Sequence, residues 1–292
     1  MNIKSIKNRA DELLVSCKPQ LTRILLIVTL LGLVPTLFSE LGMVGGLLST
    51  FVSLIFLTVQ HGGVVASLKV VRNNSQSLKD DDAWVGFQRF KALFPTYALL
   101  WVIVLAVSFV GGIIIAFPIL GSVFTLNSST DVLSAIIPFL GVLIILMIIL
   151  VIVIYWIELN LFATPYLLEK YGIETMRAIK ESYAFMKGHK MDLFRLDISF
   201  LGWLFLQGCI IGVFSALFSA IPFLGTVIGG TLAAVFGVYT FVPRYELSKA
   251  IFFEEIAYVR YGGNHTQENA SESNVEEDVY VEDENPSETK GE

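Results

Sequence analysis

The chain has 292 residues, 54% of them hydrophobic and only 16% charged, with a mean hydropathy of +0.70 and a formal net charge of −6. So much apolar surface has no use in a water-soluble fold, and it excludes an ordinary soluble enzyme domain. The expected fold class is all-α, a polytopic membrane protein.

Six apolar runs approach the roughly 20 residues that a helix needs to cross a bilayer. They are solid rather than alternating, which excludes membrane-spanning strands. Before the first run, residues 3–17 place Ile3, Ile6, Ala10, Leu13 and Cys17 on one helical face, with Lys4, Lys7, Arg9 and Asp11 elsewhere. That pattern predicts an amphipathic helix at the membrane surface. Span one is expected over Leu21–Phe38, with Pro35 near its far end, and span two over Leu41–Val59. Gln60-His61-Gly62-Gly63 interrupts the second run, but apolar residues continue to Val71.

A second surface helix is expected over residues 80–94, opened by Asp80-Asp81-Asp82 and stopped by Pro95. Three acids at a helix start complement the partial positive charge there. Consecutive acids point in different directions around a helix, which argues against a metal site. Trp84, Phe87, Phe90 and Phe94 form its aromatic stripe. Spans three to six are expected over Tyr97–Gly121, Ala135–Ile157, Leu196–Phe218 and Thr226–Val242. Tight outer turns are read from Pro118-Ile-Leu-Gly121, Pro138-Phe-Leu-Gly141 and Pro222-Phe-Leu-Gly225.

Between spans four and five lies a polar elbow, residues 158–203. Its third surface helix, 173–187, carries Ile173, Met176, Ile179, Tyr183 and Met186 on one face and is stopped at Lys187-Gly188-His189. The architecture is thus three hairpins, each led by a surface helix. After Pro243 a helical extension runs to about Tyr261, closing a membrane domain over residues 1–261. Residues 262–292 form an acidic tail with ten acids and one lysine. Too few apolar residues occur there to offset the entropy of ordering, so disorder is expected. Without the tail the rest of the chain carries a net +3.

The basic residues set the orientation. All twenty fall before or at the start of span one, between spans two and three, between four and five, or after six, while the opposite loops hold only Glu40 and Asp131. The positive-inside rule then puts both termini in the cytoplasm. Cys17 and Cys209 fall at different depths, so no disulfide between them is expected.

The elbow resembles a bacterial integral membrane family catalogued as domain of unknown function 975. The residues that carry the likeness are Ala163-Thr-Pro165-Tyr166, Ala178-Ile-Lys-x-Ser182, Met186-Lys187-Gly188-His189-Lys190 and Phe194-Arg-Leu-Asp-Ile-Ser199-Phe200-Leu-Gly202-Trp203. Where that family often has an Ile-Pro-Gly turn before the fourth span, this chain has Pro138-Phe-Leu-Gly141. The resemblance implies a plasma-membrane setting of the Gram-positive kind and no particular activity. The elbow is also faintly similar to the membrane domain preceding some glycerophosphodiester phosphodiesterases. No phosphodiesterase domain follows it here.

No motif of nucleotide, hydrolase or metalloprotease chemistry occurs, and His61, His189 and His265 are scattered. The expectation is therefore a non-enzymatic scaffold or accessory subunit with no cofactor and no metal. Its expected partners are the lipid bilayer, anionic lipids or another membrane protein, and no nucleic acid.

Polar residues gather at the inner ends of the spans: Gln60 and His61, Glu158 and Asn160, Arg195 and Asp197, Arg244 and Glu246. Ionisable groups at that depth pair or line a path. Two readings stay open, an ion-pair cluster locking the spans together and a cytoplasm-facing vestibule for a polar or lipid-headgroup ligand, which would make a transporter or lipid-handling protein. Glu158 is expected to meet Arg195 or Arg244.

Reporter fusions check the orientation. Those at Glu40, Ser129 and Gly225 are expected to read outside, and those at Ser77, Lys187 and Asn264 inside. Inversion at Lys187 would refute the topology.

Overall fold

The computed structural model describes residues 2–39, 42–73, 78–126, 132–218 and 222–279, and every regular element among them is helical. Helix α1 (Ile3–Gly32) is followed by the short α2 (Thr36–Ser39), then α3 (Gly42–Leu57) and α4 (His61–Asn73). A 3-10 turn at Asp80–Trp84 and one turn of helix α5 (Val85–Gln88) lead into the long α6 (Phe90–Leu126) and α7 (Val132–Leu161). The elbow supplies α8 (Thr164–Tyr171), α9 (Thr175–Phe185) and α10 (Lys190–Ile198). Then come α11 (Leu201–Leu217), α12 (Pro222–Thr240) and α13 (Val242–Val279).

Four stretches are long and apolar enough to cross a membrane: Ile3–Phe38, Gly42–Arg72, Phe90–Pro118 and Leu140–Tyr171. Two more qualify if each bent pair counts as one span. The α10–α11 pair bends by 51° and the α12–α13 pair by 60°. An all-α polytopic chain with four to six spans is what the described residues form. Packing of α6 on α7 and of α11 on α12 makes two of the expected hairpins. In the latter, Gln207 Nε2 donates to the Ala233 carbonyl at 2.9 Å, a polar tie inside an otherwise apolar pair.

Several expectations need correction. Residues 3–17 are not a separate surface helix but the first half of α1, which continues unbroken to Gly32. Their apolar face packs on protein, with Ile6, Ala10 and Cys17 buried. Pro19 does not break α1. It lies on an exposed side with Val15, whose carbonyl it deprives of a partner but leaves open to solvent. The expected helix over 80–94 is divided among the 3-10 turn, α5 and the start of α6. Pro95 lies inside α6 as its sixth residue, where it leaves the Lys91 carbonyl without its i+4 donor on an exposed side of the helix.

Pro118 and Pro138 are likewise inside helices rather than at turns, and of the three expected turn prolines only Pro222 opens a helix. Glu40 and Asp131, the acids expected in the outer loops, lie outside the described residues.

The chain forms two compact units, Met1–Ile251 and Phe252–Glu292. The second is helical to Val279, past Tyr261 and into the acidic segment, and residues 280–292 lie outside the described residues.

At the elbow, α9 ends as the sequence predicts, with Gly188 in the left-handed region at φ +91°. The buried face of α9 is Ala178, Ser182 and Phe185. The Met176 and Tyr183 side of the expected apolar stripe is instead 62% and 60% exposed.

Helix α5 is pressed onto the junction between α3 and α4. A Cβ on Gly86 would collide with the Thr58 carbonyl oxygen and stand 2.6 Å from Val59 Cα. Both are backbone, which cannot rotate away. Gly86→Ala is therefore expected to cost about 1–3 kcal/mol. Gly208→Ala, mid-helix in α11 where a Cβ meets nothing within 4 Å, is expected to leave stability unchanged or raise it by up to about 1 kcal/mol. Thermal unfolding of the two purified variants checks the pair.

Candidate functional site

The polar residues converge where the basic ends of the helices pack together. Asp197, on α10, accepts hydrogen bonds from two phenols. Tyr155 on α7 donates to Oδ2 at 2.7 Å and Tyr245 on α13 donates to Oδ1 at 3.0 Å. Both bonds are charge-assisted, and between them they join three helices through one carboxylate. The same place is where the last two spans bend. Phe200 meets Tyr245 edge-on with centroids 5.1 Å apart, and Trp203 stacks on Phe241 at 6.0 Å.

Helix α1 brackets both bends. Lys7 Nζ donates to Ser199 Oγ at 3.3 Å and lies 4.6 Å from the Phe200 ring centroid. Arg244 pairs with Asp11 at 2.5 Å.

A second polar line crosses α4, α6 and α8. His61 is fully buried. Its Nδ1 lies 2.9 Å from the Tyr97 hydroxyl and its Nε2 lies 3.0 Å from Glu169 Oε2. The ionised carboxylate can only accept, so Nε2–H donates to it, and in the neutral ring Nδ1 then accepts from the tyrosine. Arg89 closes the line with a 2.7 Å bond to the same Glu169 oxygen. Burial of the imidazole is thereby compensated at both nitrogens.

Beside this line lies a cavity of about 480 Å³, within the range of small-molecule sites. Gln60, Tyr97, Glu246 and Lys249 supply its polar lining, with Thr29, whose hydroxyl is turned back to the Leu25 carbonyl at 2.6 Å. Leu25 and Val28 of α1, Val64 of α4 and Val242 of α13 supply apolar walls, and Gly32 and Gly63 leave room between them. Glu246 Oε1 and Lys249 Nζ form an ion pair of 2.9 Å, half-shielded from solvent, with the ammonium 4.4 Å from the Tyr245 ring centroid. The Gln60 amide makes no hydrogen bond among the described residues. Tyr97 joins the two systems, since its ring lines the cavity while its hydroxyl is held by His61.

Of the eight residues expected to cluster, only Gln60 and Glu246 line the cavity. His61 is a buried anchor and Asp197 a part-buried anchor of separate networks. Asn160 holds its own helix, donating to the Trp156 carbonyl at 2.6 Å, and its backbone carbonyl receives Ser182 Oγ at 2.8 Å.

The expected pairing of Glu158 with Arg195 or Arg244 does not occur. Glu158 is exposed, Arg244 is taken by Asp11, and Arg195, 66% exposed, lies 3.7 Å from Asp192 one turn away on its own helix. The arginine with an acid on its own side of a bend needs no partner from a distant span. Residues the sequence reading missed are Tyr97, Tyr155, Tyr245, Glu169, Arg89 and Lys249. Glu169 carried the one usable signal, an acid on the polar side of a short amphipathic helix opened by Pro165.

The Asp197 node can be tested by subtraction. Tyr155→Phe and Tyr245→Phe are each expected to lower stability by about 1–2 kcal/mol, because each removes one bond to a charged group. Asp197→Leu combined with both phenylalanines is expected to recover much of the loss, since no buried polar group is then left alone. Melting temperatures of the single and triple variants read this directly.

No curated protein and no solved structure matches the chain. Over residues 1–259 it matches the family described as Protein of unknown function (DUF975), and this stretch includes the elbow, both bends and all the residues of the cavity. The chain belongs to that family of uncharacterised proteins.

Proposed function

We propose that this is a non-enzymatic plasma-membrane protein that takes up a small amphiphile in a vestibule at the cytoplasmic ends of its spans. The single observation that carries this is the cavity itself, which is apolar along α1 and polar where Gln60, Glu246 and Lys249 meet. A purely structural polar cluster leaves no such space, because its groups close on one another. The Asp197 and His61 networks are of that closed kind, and neither residue lines the cavity. The distribution of Lys and Arg supports the cytoplasmic orientation of this end.

A second reading, the scaffold, is favoured by one feature. Met176 and Tyr183 leave an exposed apolar stripe on α9, with Arg177 and Lys180 on the same short helix. Such a surface suits an anionic bilayer surface.

Gly32 offers a block that spares the fold. A Cβ there meets only Gln60 Nε2, at 3.7 Å, so a leucine enters the cavity without striking backbone. With the full chain in detergent micelles, Gly32→Leu is expected to reduce saturable binding of a fluorescent lysophospholipid at least tenfold while the melting temperature holds. Undiminished binding in a well-folded Gly32→Leu protein would overturn the vestibule and leave the scaffold.

A further inference from the structure

The charge arrangement in the cavity narrows its ligand, granted the vestibule reading on which this step rests. Its two ionic side chains are one carboxylate and one ammonium, Glu246 and Lys249, three residues apart on α13 and paired at 2.9 Å. The pair is neutral as a unit. A ligand with a single charge would have to break it and leave one member without a counter-charge in a half-shielded site, which is costly. A ligand carrying both charges replaces each partner with one of the same sign, so the site stays neutral throughout. Each new contact is then a charge-assisted hydrogen bond in place of the one it displaces.

The uncharged polar groups fit the same ligand. The Gln60 amide has no partner among the described residues and can both donate and accept. Tyr97 is committed through its hydroxyl to His61, so it offers its ring as a wall. The Lys249 ammonium already rests against the Tyr245 ring, 4.4 Å from its centroid. That contact keeps the ammonium placed when Glu246 turns to a ligand. Leu25, Val28, Val64 and Val242 then receive the apolar part.

We propose that the cavity binds an amphiphile whose headgroup bears both a primary ammonium and a phosphate, with Glu246 taking the ammonium and Lys249 the phosphate. A primary ammonium is specified because a carboxylate accepting N–H hydrogen bonds gains from it what a quaternary ammonium cannot give.

The test uses the purified full chain and three short-chain phospholipids with identical dihexanoyl tails, bearing phosphoethanolamine, phosphocholine and phosphoglycerol headgroups. Binding is followed by native mass spectrometry and by the shift in melting temperature. The phosphoethanolamine lipid is expected to bind at least tenfold more tightly than either of the others. Glu246→Gln is expected to erase most of that preference, and Lys249→Met to weaken the phosphoethanolamine and phosphoglycerol lipids alike. Equal binding of the three lipids by the parent protein, still blocked by Gly32→Leu, would overturn the headgroup assignment and leave the vestibule standing. Binding of all three that Gly32→Leu does not diminish would remove both. The comparison among headgroups is made on the parent protein, so it holds even if a charge variant fails to fold.

Discussion

One carboxylate held by two phenols ties the described architecture together. Asp197 sits between Tyr155 and Tyr245, and those three residues come from α10, α7 and α13. A carboxylate at this depth is costly unless its oxygens are occupied, and hydroxyl donors occupy them without bringing in a second charge. The arrangement fixes the end of the fourth span against the two places where the later spans change direction. Phe200, Trp203, Tyr245 and Phe241 then fill the space around it with ring contacts. The elbow is fastened at that point, and the ion pair lining the neighbouring cavity, Glu246 and Lys249, lies on the same stretch of α13.

The apolar spans were legible in the sequence because lipid imposes a simple rule on composition. Solid runs of Leu, Ile, Val and Phe near 20 residues have few other uses, and α3, α6, α7 and α12 fall where those runs lie. Breaks were less legible. Proline was read as a stop at Pro95 and as an outer turn at Pro118 and Pro138, yet all three are carried within helices. The real changes of direction fall at Ser199–Phe200, where no proline stands, and at Phe241, where Pro243 follows two residues on and has no N–H to bond back into α12. Tertiary contacts brace both: Lys7 lies on Ser199 and Phe200, and Trp203 on Phe241.

The site shows the same division. Position along the spans grouped Gln60, His61, Asp197, Arg244 and Glu246 as residues of one end. It could not say which would face one another, because pairing depends on helix rotation and on the bends. Arg244 found Asp11, from a segment read as a surface helix, and Glu158 faces outward with no partner among the described residues. Tyrosines were overlooked as donors because a phenol at the end of a span also serves as an interfacial anchor. The cavity is lined in part by small residues, Gly32 and Gly63, on helices whose packing no local pattern announces.

The contacts of α1 set a timetable for synthesis. Lys7 finds Ser199 across 192 residues, and Asp11 finds Arg244 across 233. At about 5–20 residues per second, the ribosome needs on the order of tens of seconds to deliver those partners after α1 has emerged. During that interval Asp11 and Lys7 have only water, headgroups or each other's neighbourhood to satisfy them, although α1 can already pack on α4. The first helix made is thus among the last to be fully fastened. The nascent chain must hold its N-terminal segment at the membrane until the sixth apolar run arrives, and any delay or truncation late in the message is felt at its beginning.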